Sequence, residues 1–156
     1  MKLKLKIMLA LIPVLTLSNR AFASCYVYGD SIAQGVSQQL KQCRADTKIG
    51  IGSQAAMNKW GFNPKQEETV IISLGSNDSN PKATVKILNQ ILEKSDNAKA
   101  NVFLILPVEK TRRNAIKSAF DGKVSFLNIK SVEPDNVHPT FKGYQALAKD
   151  SGLLAG

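Results

Sequence analysis

Histidine is almost missing from this chain. His138 is the only imidazole in 156 residues, beside two cysteines and one tryptophan. One histidine without an acidic cluster supplies no ligand set for a catalytic metal, which takes three protein ligands and an open position. The Walker lysine motif of phosphate-binding loops is absent too, and neither metal nor cofactor is expected. Repeats, low-complexity tracts and linkers are lacking, which leaves one ordinary domain. No dense Lys/Arg patch with interleaved aromatics stands out, so nucleic acid is not an expected partner. Long apolar runs are missing as well. Residues 7–17 form an apolar stretch of 11, against the roughly 20 needed to cross a bilayer, so a stable membrane anchor is not expected.

What stands at the N-terminus instead is a targeting pattern. Lys2, Lys4 and Lys6 precede the apolar stretch, and Ala21-Phe22-Ala23 before Ser24 reads as a small-x-small cleavage site. Residues 1–23 are expected to be a secretory signal peptide, and 24–156 a single domain exported to the periplasm or beyond. Loss of Lys2, Lys4, Lys6 and Arg20 lowers the formal net charge from +9 to +5, a mildly basic balance. Cys25 and Cys43 both remain. In an oxidising compartment they are the natural disulfide, worth about 3 kcal/mol for so short a loop. Two buried thiols are the alternative, because spacing does not fix the distance between their Cα atoms.

From Cys25 onward strand-like and helix-like segments alternate. Residues 26–29 (YVYG) read as a short strand, followed by a helix with Ile32, Val36 and Leu40 at spacing four. A weak second strand is expected at 47–51 (TKIGI), then a short helix at 53–60. The apolar runs 69–74 (TVIISL) and 101–106 (NVFLIL) suit strands covered on both faces. Helices are expected at 84–94, 109–120 and 140–149, and a fifth strand at 123–129. Five strands alternating with five helices predict an α/β fold, a doubly wound parallel sheet in a three-layer α/β/α sandwich. Ligands of such sheets bind beyond the carboxyl ends of the strands. The suggestive stretches Asp30-Ser31, 50–53, 75–78 and 135–138 all fall there.

Acyl transfer to water needs a nucleophile, a base, a group that orients the base, and donors for the developing oxyanion. Ser31 follows the first strand at the start of a helix, where its hydroxyl can enter the cleft. Helix capping is the plainer use of a serine in that place. His138 is the only imidazole available as base. Asp135, three residues earlier, can reach one ring nitrogen on a tight loop while the other faces Ser31. The order Ser, Asp, His is that of other α/β hydrolases, although their G-x-S-x-G elbow is absent. Asn77 in GSND offers a neutral amide donor. Gly50 in IGIGSQ offers a backbone N–H approachable for want of a Cβ, with Gly52 as the other possibility.

These pieces together resemble the SGNH (GDSL-type) hydrolases. GDSI at 29–32 is similar to the family's first block, with Ser31 as nucleophile. Gly50 is similar to the second-block glycine, GSND to the G-x-N-D block with Asn77, and DNVH at 135–138 to the D-x-x-H block. The resemblance covers most of the exported chain in order. It implies a flavodoxin-like sandwich, a Ser31–His138–Asp135 triad, an oxyanion hole from Ser31, Gly50 and Asn77, and a small-molecule or glycan ester as substrate. Short acyl groups are expected because no stretch is left over for a lid. Lysophospholipase or thioesterase activity is the alternative within the family, and a non-catalytic ligand-binding protein the alternative outside it. GIGSQA formally matches a dinucleotide fingerprint, but the acidic residue expected at the end of the next strand is missing. The basic residues of 109–113 (EKTRR) are expected to be a solvated helix face.

Overall fold

The structure, a computed structural model, describes residues 24–154; the expected signal peptide lies outside them. The elements in chain order are β1 (Cys25–Gly29), α1 (Ser31–Gln39), β2 (Arg44–Thr47), α2 (Ser53–Trp60), β3 (Thr69–Ser73), α3 (Pro81–Asn97), β4 (Asn101–Leu106), α4 (Lys110–Phe120), β5 (Ser125–Asn128) and α5 (Phe141–Asp150). The five strands form one parallel sheet in the order β2-β1-β3-β4-β5. The chain winds outward from β1 to β2, then crosses back to β3 and runs on through β4 to β5. The loops after β1 and β3, which are adjacent strands, therefore leave in opposite directions, and a crevice opens between them.

Alternation along the strands divides the core in two. Tyr26, Tyr28, Val70, Ile72 and Leu104 face α2, α3 and α4, whereas Ile71, Ile105 and Leu127 face α1 and α5. Side chains of this size each contribute about 1.5–3 kcal/mol when fully buried. Both faces are covered, which is why 69–74 and 101–106 are apolar without interruption. Local signals set the helix ends. Asn80 caps α3 by accepting from the Lys82 N–H, and Pro81 opens the helix where its missing N–H costs nothing. Thr140 caps α5 through the Gly143 N–H.

The expected second strand at 47–51 is displaced. β2 is Arg44–Thr47, paired with β1 in the register Tyr26↔Arg44 to Gly29↔Thr47. It lies at the edge of the sheet; Arg44, Asp46 and Thr47 are polar and partly buried, and Ala45 is exposed. Arg44 is held there by Glu68, through Nε at 3.1 Å and Nη2 at 2.7 Å, with its guanidinium 3.4 Å above the Tyr26 ring. An edge strand held by an ion pair and a ring needs no apolar run, so IGI drew attention to the wrong residues. Ile49 is 72% exposed, and Ile51 is buried in the loop that leads into α2.

Cys25 and Cys43 are bonded, with Cα atoms 4.8 Å apart. The bond ties the amino end of β1 to the turn before β2, at the opposite end of β1 from Ser31. Among the described residues no helix is long and apolar enough to cross a membrane.

Candidate active site

The first part of the site is built into the core. β1 ends at Gly29, with φ +136°, and a Cβ there would lie 1.8 Å from the Ser73 carbonyl oxygen of β3. Only glycine fits so close an approach. Asp30 follows, fully buried; its N–H donates to the Ser73 carbonyl at 3.0 Å. Its Oδ1 accepts the Ile32 N–H at 3.0 Å and the Ala33 N–H at 3.4 Å. Asp30, not Ser31, therefore caps α1. Ser31 is released from that duty and becomes the first helical residue, where the helix itself supplies no acceptor for its N–H.

The second part is a surface turn. The Ser131–Thr140 segment closes on itself: Thr140 N–H donates to Ser131 O at 3.0 Å, and Glu133 N–H to His138 O at 2.8 Å. Val132 and Pro139 form an antiparallel bridge. Asp135 Oδ1 accepts the N–H groups of Val137 and His138, both at 2.9 Å. This Asx-type turn takes Asn136 to φ +56°, a region that asparagine tolerates.

The two parts meet at the carboxyl edge of the sheet. Ser31 Oγ lies 2.8 Å from His138 Nε2, and His138 Nδ1 lies 2.6 Å from Asp135 Oδ2. Hydrogen bonds from the His138 ring, and from the backbone N–H groups of His138 and Val137, lower Asp135 to about 2. It is a carboxylate at neutral pH, so it accepts from Nδ1–H. That tautomer leaves Nε2 with its lone pair toward Ser31, and the Ser31 hydroxyl donates to it. Asp30 is shifted the other way. Burial raises it to about 6, against the Ser73 hydroxyl, the two capping N–H groups and the nearby His138.

The Gly75–Asp78 turn brings Asn77 to the same edge, where its Nδ2 donates one hydrogen to the Ile51 carbonyl at 3.2 Å. The amide has a second hydrogen to offer. Of the two glycines left open by the sequence, Gly50 is exposed, with φ +72° and nothing within 4 Å of a Cβ placed on it. Gly52 caps α2 against the Asn77–Asp78 turn; a Cβ there would stand 2.6 Å from Asp78 Oδ1. Gly52 thus packs against the turn that carries Asn77, whereas Gly50 does not.

The contacts of four residues, Asp78, Ser53, Thr84 and Arg112, escaped the sequence reading. Asp78 receives Ser53 and Thr84, and no spacing signal ties those positions together. Arg112 donates through Nη1 to the Ser76 carbonyl at 2.9 Å, so the basic stretch at 109–113 is not wholly a solvated face. Ser76, Pro107, Val108, Arg112, Asn136 and Val137 line a cleft of about 20 Å³ beside the turn that carries His138, room for about one water. A depression of about 670 Å³ lies at the other end of the sheet, by the first residues of β4 and β5. Among the described residues no group of His, Cys, Asp and Glu could hold a metal ion.

No family model and no curated protein sequence matches the chain. Solved structures do. A protein from Slackia heliotrinireducens assigned to the SGNH hydrolases superposes with a TM-score of 0.62 at 12% identity, over 85% of this chain and 99% of its own. A GDSL-like lipase from Bacteroides thetaiotaomicron gives 0.57 at 18% identity, over 85% and 87%. The psychrotrophic esterase EstA from a Pseudoalteromonas species gives 0.52 at 16%, over 82% and 93%. At such identities it is the path of the backbone that is shared, and by that measure this chain has the fold of the SGNH and GDSL-type hydrolases.

Proposed function

We propose that this chain is a serine esterase that hydrolyses small carboxylic esters. The observation that carries the reading is the series Ser31 Oγ, His138 Nε2, His138 Nδ1, Asp135 Oδ2, linked at 2.8 and 2.6 Å. Ser31 attacks the ester carbonyl as its proton passes to Nε2, and Asp135 stabilises the imidazolium that results. The Ser31 and Gly52 N–H groups and the free Asn77 amide hydrogen receive the oxyanion. His138 then returns its proton to the leaving alcohol. It next takes one from a water whose oxygen attacks the acyl carbon, and passes it to the Ser31 oxygen as the C–O bond of the acyl-Ser31 ester breaks and the acid leaves. The description of similar folds as a lipase and an esterase supports this chemistry.

The short connections beyond the carboxyl ends of the strands, which leave no stretch over for a lid, support a short acyl group, acetyl or butyryl, on a small-molecule or glycan carrier. The targeting pattern at 1–23 and the Cys25–Cys43 bond support an exported protein. The test is p-nitrophenyl ester hydrolysis from C2 to C12 with chain 24–156, beside Ser31→Ala. Activity that peaks at C2–C4 and disappears in the variant is the expected result. A deep tunnel would raise kcat/KM steeply with length, since each buried CH₂ is worth about 0.8 kcal/mol. A peak at C8 or beyond discards the short-acyl reading, and activity that survives Ser31→Ala discards the nucleophile.

A further inference from the structure

Asp78 follows the proposed oxyanion residue Asn77, yet its carboxylate turns away from the substrate edge and into the protein. Its Oδ1 accepts the Ser53 N–H at 2.9 Å. Its Oδ2 accepts the Thr84 hydroxyl at 2.6 Å and is also bonded by the Ser53 hydroxyl. Ser53 and Thr84 are each 1% exposed, so these hydroxyls have no water to fall back on. Ser53 opens α2 and Thr84 lies in the first turn of α3. One carboxylate thus joins the start of α2, the start of α3 and the turn that carries Asn77. None of the ion pairs among the described residues includes Asp78; all three of its partners are neutral donors. Gly52 completes the contact, because a Cβ there would stand 2.6 Å from Asp78 Oδ1. The Asn77 amide closes the loop from the other side through Ile51 O, one residue before Gly52.

We propose that Asp78 is the positioning residue of the oxyanion site. Its carboxylate fixes the distance between the Gly52 N–H and the Asn77 amide. This inference rests on the proposed esterase reading. Its physical basis is that two donors from separate segments work together only at a set spacing, and a displacement of about 1 Å in such a site costs about 100-fold in rate. Asp78 touches neither nucleophile nor base, so it acts through its neighbours.

The test is a kinetic cycle on p-nitrophenyl acetate with Asp78→Asn, Asn77→Ala and the double variant, at 10 °C and 30 °C. Amide exchange over residues 50–56 and 75–79 is followed in parallel. Asp78→Asn keeps the size and one acceptor oxygen; Asp78→Ala is added as the stronger disruption. The expected result is a kcat lowered about 10- to 100-fold by Asp78→Asn, with KM within about 3-fold. Exchange should be faster in both segments, and the double variant within about 3-fold of Asn77→Ala alone. An unchanged kcat overturns the proposal, as does a loss that multiplies with that of Asn77→Ala. So does a loss present at 30 °C but absent at 10 °C, which is the mark of mere destabilisation. Wild-type activity that Ser31→Ala fails to remove defeats the esterase reading itself; intact Ser31-dependent activity beside any of these results defeats only the role of Asp78.

Discussion

Asp30 and Asp135 stand on either side of the Ser31–His138 hydrogen bond, and their surroundings are opposite. Asp30 is fully buried between β1 and β3, and burial raises it to about 6. Asp135 keeps 48% of its side chain exposed, and hydrogen bonds from His138 and two backbone N–H groups hold it near 2. The first aspartate belongs to the fold: it caps α1 and fixes the direction in which Ser31 leaves the sheet. The second belongs to a turn and is held by its own near neighbours. A carboxylate that accepts from an imidazole and two backbone N–H groups is kept charged by those donors. One that must shape a helix end tolerates desolvation at the expense of its ionisation. The proposed site joins a serine positioned by the core to a histidine positioned by a surface turn.

The largest effect tests whether these two halves act as one. Ser31→Ala removes the core side of the hydrogen bond and His138→Ala the turn side. Each should lower kcat by more than about 10⁴-fold, and the double variant should be no more than a few-fold worse, because both serve one proton transfer. Rate losses that multiply would separate the halves.

A smaller effect is expected on the exposed side alone. Asp135→Asn removes the charge that selects the Nδ1–H tautomer. In a buried triad the equivalent change costs about 10⁴-fold. Here water reaches the carboxylate, and a loss of roughly 100- to 1000-fold in kcat is expected, with an unchanged circular dichroism spectrum. A loss as large as that of His138→Ala would mean that exposure gives no relief and that the comparison with Asp30 is misdrawn.

The smallest effect concerns stability and belongs to the buried side. Folding raises Asp30 from 3.8 to about 6, so the folded protein favours its protonated form. That contribution is fully present below about pH 3.8 and is lost as pH rises through about 6. The shift corresponds to about 3 kcal/mol. Asp30→Asn keeps the oxygen that caps α1 and carries no charge at any pH. Urea unfolding from pH 4 to 7 should therefore show wild type losing stability relative to the variant as pH rises, by about that amount. Parallel curves would show that Asp30 keeps its ordinary carboxylate value in the fold.

The same contrast explains what the sequence made legible. Buried parallel strands announce themselves, and 101–106 is β4 to the residue. The spacing of Asp135 and His138 was readable because a three-residue turn is a local object. β2 was misplaced because its stability comes from Glu68 and the Tyr26 ring, both distant in sequence. Gly52 stood beside Gly50 with nothing local to choose between them; what sets Gly52 apart is its contact with Asp78, which approaches from the turn after β3. Capping by Asp30 instead of Ser31 was likewise unreadable, as both are good capping residues and backbone geometry decides.

The turn that carries His138 has one further consequence. Every side-chain and loop hydrogen bond of residues 132–138 is made within residues 132–138, except the one from Ser31 to His138. Detaching this arm from the sheet breaks a single bond of that kind, whereas moving Ser31 disrupts the β1–β3 junction. A segment tied down by so few bonds is the kind that opens locally, apart from global unfolding, with its own constant and its own temperature dependence. On the proposed esterase reading, kcat is the intrinsic rate multiplied by the fraction of molecules whose arm is closed.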